Sequence, residues 1–173
     1  LQRDKDEKAK LDEYKAFHTS KSMPRYLRQR RSWWLNYGRS VKTQLRCGTS
    51  ELEVEMGRHA RPIVPRENRT CKCCATGQVE DSFHFVMRCP HVDEQRQQME
   101  REIERAIRKG GKDCFGWRKM SERERWMFIL GDGPEVSSSR ANKQWGTVET
   151  HVYNFLAAAY KARQAYLKEM GRA

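Results

Sequence analysis

Cys71, Cys74, His84 and Cys89 are spaced Cys-x2-Cys-x9-His-x4-Cys. Three thiolates and one imidazole are the soft donors that a tetrahedral zinc prefers, and a Cys-x2-Cys pair lets two sulfurs from one tight turn reach the same ion. Four protein ligands leave no position for water, so the chemistry implied is structural rather than hydrolytic. Cys73 leaves a second choice open, because Cys71-x-Cys73 could replace Cys71-x2-Cys74; the two-residue gap favours Cys74. Zn2+, one ion per chain, is the only cofactor expected. Of the six cysteines, four fall between Cys71 and Cys89, while Cys47 and Cys114 lie apart as free thiols. Six are too few for a disulfide scaffold in a chain of 173 residues. No signal peptide opens the chain and no apolar run reaches membrane-spanning length, so a reducing nuclear or cytoplasmic setting is expected, without secretion or membrane contact.

The neighbouring residues would position these ligands. Thr76-Gly77 supplies a turn after the first pair, and Asp81 reads as the N-cap of a short helix over Phe83 to Met87 from which His84 projects. Pro90 ends that helix and leaves Cys89 at its last position. Elsewhere the periodicity is helical. Leu11, Tyr14 and Phe17 mark an amphipathic helix within residues 4–18, and a second helix, opened by Pro24, runs in one or two pieces to Gly48. Val92, Met99, Ile103 and Ile107 form one face of a helix ending at Gly110-Gly111. Ser121-x-x-Glu124 is a capping box opening a helix that Gly131-Asp132-Gly133-Pro134 stops. After the polar linker Ser137 to Ser139, the apolar positions from Trp145 to Leu167 define a long closing helix. Only Glu51 to Met56, with alternating Leu52, Val54 and Met56, reads as a short strand or extended segment, and Gly57 to Arg69 reads as an extended basic linker. The fold expected is mainly α: a helical domain around one structural zinc knuckle, with at most one short extended or strand segment. Three parts follow, a basic helical segment (1–57), the linker and knuckle (58–90) and a C-terminal helical segment (91–173).

The formal net charge is +12, and nine basic residues with no acid lie between Lys15 and Arg46. Such a block expects a polyanion. Arginine, which grips two phosphate oxygens at once and stacks on bases, dominates it. Candidate nucleic-acid contacts are Arg25, Arg28, Arg30, Arg31, Arg39 and Arg46 in the first block, then Arg58, Arg61, Arg66, Arg69 and Lys72 in a second, with Trp33 and Trp34 as stacking platforms. The competing reading of the aromatics is that Trp33, Trp34 and Tyr37 share helical spacing with Leu27, Leu35, Val41 and Leu45, which places at least one tryptophan in the core. His18, His59 and His151 have no partner at ligand or triad spacing, and His91, though close to Cys89, follows Pro90 and would point away; all four read as surface residues, with His59 beside Arg58 and Arg61 as a further phosphate contact.

Several strings together resemble a known family. Leu45-Arg46-Cys47-Gly48, Leu52-x-Val54-Glu55-x-Gly57-Arg58, Arg69-x-Cys71-x2-Cys74, Gly77-x-Val79-Glu80-Asp81-x-Phe83-His84-Phe85 and Arg88-Cys89-Pro90 look like the C-terminal region of non-LTR (LINE-type) retrotransposon reverse transcriptases. The helix from Ser121 to Leu130 and the closing helix extend the likeness over nearly the whole chain. Cys47 and Ser82 depart from the family's usual residues, and neither is a proposed ligand. The resemblance implies a segment that follows the polymerase and helps to hold template RNA or target DNA during target-primed reverse transcription. Its partners would be nucleic acid and the remainder of a reverse transcriptase chain, the start at Leu1 suggesting a piece of a longer polypeptide.

Catalysis is not expected of this segment. No Asp-Asp dipeptide is present for two-metal nucleotidyl transfer, and Asp132 and Glu135 lack the further acid and lysine a nuclease needs, so Asp132 reads as turn chemistry. The alternative is a domesticated zinc-helical module that meets an acidic protein or self-associates through Phe155 and Leu156 of the closing helix.

Overall fold

The computed structural model describes residues 12, 14–18, 23–28, 32–133 and 138–171. Leu11, Lys21, Arg30, Arg31, Pro134, Glu135 and Ser137 lie outside them, as do the side chains of Arg25 and Arg28. The protein is mostly helical, and no strand occurs among the described residues. A helical turn at residues 14–17 precedes α1 (Arg25–Arg28), α2 (Asn36–Cys47), α3 (Glu53–His59), α4 (Asp93–Gly110), α5 (Glu122–Leu130) and α6 (Ser139–Glu169).

The 31 residues of α6 give it a length of about 46 Å, and α2 and α4 pack along it. Its buried positions Trp145, Val148, Val152, Phe155, Leu156 and Ala159 recur at three- and four-residue intervals, the stripe that a helix turns inward. Helix α4 answers with Met99, Ile103 and Ile107, and Gly111 ends it in the left-handed conformation at φ 69°. Where α2 meets α6 the approach requires glycine: a Cβ on Gly38 would lie 2.1 Å from the Tyr153 carbonyl oxygen. Ser121 and Glu124 form the reciprocal capping box that opens α5, which drives Trp126, Phe128, Ile129 and Leu130 into the core. Phe155 and Leu156 are already buried in this core, at 3% and 0% exposure, so self-association through them would have to open it.

Four sequence expectations are corrected. The segment with alternating Leu52, Val54 and Met56 is not a strand but α3, with Leu52 buried and Met56 solvent-exposed. The reason is tertiary: the Glu80 carboxylate accepts from the Glu53 amide at 2.9 Å and the Glu80 carbonyl from the Val54 amide at 3.2 Å, satisfying amides at the start of the helix. Gly57 to Arg69 is folded rather than an extended linker. Arg69 is buried and donates to the Val64 and Val54 carbonyls at 2.8 and 3.0 Å, and its stem occupies the space left by Gly57, where a Cβ would meet it at 2.7 Å. Neither Trp33 nor Trp34 is in the core; they are 78% and 63% exposed, while Leu35, Val41 and Leu45 supply the buried face. Asp132 does more than shape a turn, since it pairs with Arg46 at 2.7 Å and with His18 at 3.1 Å, which also gives His18 a partner.

Candidate metal centre and basic surface

The chain between Arg69 and Glu80 doubles back on itself. The Cys71 amide donates to the Gln78 carbonyl at 2.9 Å, the Glu80 amide to the Arg69 carbonyl at 2.9 Å, and Thr70 and Val79 form an antiparallel bridge. Gly77, at φ 68°, allows the reversal that carries Cys74 toward Cys71. Asp81 then caps the next helical turn, its carboxylate accepting from the His84 amide at 2.8 Å as the sequence predicts. That turn, His84–Arg88, has π-helical geometry and closes with the Cys89 amide on the His84 carbonyl at 2.7 Å. That bond brings Cys89 back beside the start of the turn, on the side that carries His84.

The four expected ligands converge. The donor atoms of Cys71, Cys74, His84 and Cys89 all lie within 4.8 Å of one another, close enough to bind one metal ion. Cys71 and Cys89 sulfurs are 3.9 Å apart, and the Cys74 sulfur lies 3.4 Å from His84 Nε2. Cys73 is not in this quartet; it is buried and joins Cys71 and Glu80 in a separate group of three. Hydrogen bonds with the Cys73 and Cys89 thiols hold Cys71 well below the usual thiol range, and the same bonds together with burial push Cys73 and Cys89 up. A divalent cation bound among these sulfurs would favour their thiolate forms.

Two residues that ligand spacing alone did not single out complete the centre. Gln78 Oε1 lies 3.0 Å from His84 Nδ1. An Nδ1–H donated to that oxygen leaves the Nε2 lone pair facing the sulfurs, the orientation ligation requires. Glu80, 1% exposed, lies 3.5 Å from the Cys71 sulfur and is gripped by Arg163 through two 2.8 Å bonds. Burial raises the Glu80 pKa, and the Arg163 contacts oppose that rise. Burial would lower Arg163, but the Glu80 contacts outweigh it and raise the pKa. Arg163 also donates to the Glu51 carbonyl at 2.8 Å, so one side chain of α6 joins the metal loop to the start of α3. The signal was present in Glu80-Asp81, but its partner lies 83 residues away. On the other flank, Arg96 of α4 donates to the Cys89 and Val86 carbonyls at 2.6 and 2.9 Å. His91 faces away from the sulfurs to the Ala162 carbonyl, at 3.3 Å.

The expected basic surface is divided by burial. Arg46 is 1% exposed and binds the Leu130 carbonyl at 2.6 Å as well as Asp132, while Arg69 is held as described; neither can meet a phosphate. Arg58 is committed to Glu55, with only 8% of its side chain exposed. Arg66 pairs with Asp81 and Lys72 with Glu53, each with its side chain over 40% exposed. Arg39 donates to Asn36 Oδ1, and Arg61 is exposed. Trp33 and Trp34 stand edge to face with ring centroids 6.0 Å apart, and nearby Tyr37 has the Lys161 ammonium 5.2 Å from its ring centre.

Fold and centre together define a helical protein organised around a Cys3His cluster able to hold a metal ion. No helix is long and apolar enough to cross a membrane among the described residues. No family model, curated protein or solved structure matches the chain.

Proposed function

We propose that this chain is a zinc-stabilised nucleic-acid-binding module, the C-terminal part of a LINE-type reverse transcriptase that holds template RNA or target DNA during target-primed reverse transcription. Cys71, Cys74, His84 and Cys89 hold the zinc, whose part is to lock the loop between Arg69 and Pro90 against α4 and α6. The module binds and does not itself catalyse, and it works in the nucleus or cytoplasm.

One observation carries the reading of a nucleic-acid surface. Trp33 and Trp34, 78% and 63% exposed, belong to a stretch from Lys15 to Arg46 that contains no acid. Two large aromatic faces left open beside basic residues suit unpaired bases, because every base has a π-face and phosphates answer the charge. The sequence strings that resemble those of the retroelement enzymes supply the rest of the proposal.

Fluorescence anisotropy of the zinc-loaded protein with single-stranded RNA, single-stranded DNA and duplex DNA tests it. With about five phosphates neutralised, affinity between about 50 and 200 mM salt should fall about a hundredfold for a single strand and about five hundredfold for a duplex. Absence of binding to all three at low salt, with one zinc per chain, would overturn the proposal.

A further inference from the structure

Beyond the basic blocks of the N-terminal half, an open groove of about 510 Å3 runs beside α4 and α5. Its lining includes Arg101, Arg105, Arg108 and Arg125, against two carboxylates, Glu100 and Glu104. Both carboxylates are engaged, Glu100 with Arg125 at 3.3 Å and Glu104 with Arg118 at 2.9 Å. Arg105 pairs with Glu102. Arg101 and Arg108 have no ion pair among the described residues and are solvent-exposed. The floor is firm: the Arg125 guanidinium lies 4.9 Å from the ring centre of Trp117, which is 1% exposed.

Nothing in the sequence marks this groove as basic, because residues 93–109 hold five acids and five bases, whose charges cancel. The helix separates them. Arg101, Arg105 and Arg108 follow i, i+4, i+7 spacing, which places them along one face. Arg101 and Arg108 are about 10 Å apart along the axis. A nucleic-acid strand advances about 3.4 Å per phosphate in a duplex, so this spacing corresponds to about three nucleotides. A planar guanidinium, moreover, matches phosphate oxygens in pairs. The groove also lies next to the metal-binding cluster in the chain, since Arg96, which directly precedes the lining residue Gln97, donates to the Cys89 carbonyl at 2.6 Å.

Resting on the nucleic-acid reading above, we infer that this arginine groove is a second binding site, which takes the phosphodiester backbone of a nucleic-acid strand without reading its bases. The free guanidiniums of Arg101 and Arg108 make the phosphate contacts. Arg125, braced on Trp117 and Glu100, forms the floor beneath them.

The experiment compares three zinc-loaded full chains: wild type, Arg101→Glu/Arg108→Glu, and Lys143→Glu/Lys168→Glu, which changes the net charge equally at exposed positions of α6. Anisotropy with a single-stranded oligonucleotide is measured across a salt series, after equal zinc content and equal far-ultraviolet circular dichroism have been established. The groove variant should lose about tenfold or more in affinity, and its slope of log affinity against log salt should flatten by about 1.4, the release expected for two phosphates on a single strand. The α6 variant should keep the wild-type slope. If wild type binds and the groove variant matches the α6 variant, the groove site is overturned while the proposed function stands. If wild type binds none of the nucleic acids, both fall together. Displacement of the oligonucleotide by a poly-glutamate peptide of equal charge, as effectively as by unlabelled oligonucleotide, would also overturn the phosphate assignment in favour of an acidic protein partner.

Discussion

At the scale of single residues, two adjacent cysteines have different surroundings. Cys74 faces His84 Nε2 across 3.4 Å, whereas Cys73 is buried beside Cys71 and Glu80. Native mass spectrometry should therefore find one zinc per chain retained in Cys73→Ser and lost or sharply weakened in Cys74→Ser; the reverse result would transfer the ligand role to Cys73. Lys42 has a different consequence. It is 1% exposed, and burial lowers its pKa to about 8, against the pull of Glu149 and Asp132 and with the help of Arg46; Tyr26 covers the ammonium at 5.3 Å. Between pH 8 and the usual lysine value of 10.5 the unfolded chain holds this proton and the folded chain releases it, so stability rises with pH through that window and the penalty is complete below it. Substituting Lys42→Met removes this pH dependence. The difference in unfolding free energy between wild type and variant, measured in denaturant at successive pH values, should change by about 3 kcal/mol across the window. A difference that is flat with pH would mean that Lys42 keeps its charge when folded.

At the scale of elements, local chemistry was readable wherever it was self-contained. The capping box at Ser121, the Asp81 cap, the left-handed stops at Gly48 and Gly111 and the apolar stripe of α4 all appear where the sequence places them, because each depends on residues within one or two turns. The segment Glu53–His59 failed for the opposite reason: its alternation suits a strand, but its first amides are satisfied by Glu80, 27 residues downstream. Gly38 is a similar case, unremarkable in sequence yet the point at which α2 touches the backbone of α6. Gly38→Ala should force the helices apart and cost on the order of 1 to 3 kcal/mol, read as a lower denaturant midpoint with an unchanged slope. An unaltered midpoint would show that α2 can shift at no cost.

At the scale of the whole molecule, the metal loop is part of the core. Cys71, Cys89, Phe85, Val86 and Met87 belong to one buried cluster that also contains Phe17, Val41, Ile103, Trp145 and Leu167. Zinc in such sites contributes about 10 to 16 kcal/mol in peptides, against about 5 to 15 for the stability of a whole domain. Chelation should accordingly melt helices well outside residues 71–89, with a large loss of ellipticity at 222 nm that stoichiometric zinc restores. Retention of the helical signal and of Tm after complete metal removal would disprove a structural role for the quartet.

The sequence by itself determined which four residues meet closely enough to bind a metal ion, the helical class and most helix boundaries, since cysteine and histidine spacing, capping and the 3.6-residue period are short-range properties of the chain. Only the tertiary structure decided which charges face water. Arg46, Arg69 and Arg163 are spent on carbonyls and carboxylates inside, Trp33 and Trp34 stand outside, and the mixed charges of α4 sort into an arginine groove. Burial depends on partners tens of residues away, and a linear charge pattern carries no record of them.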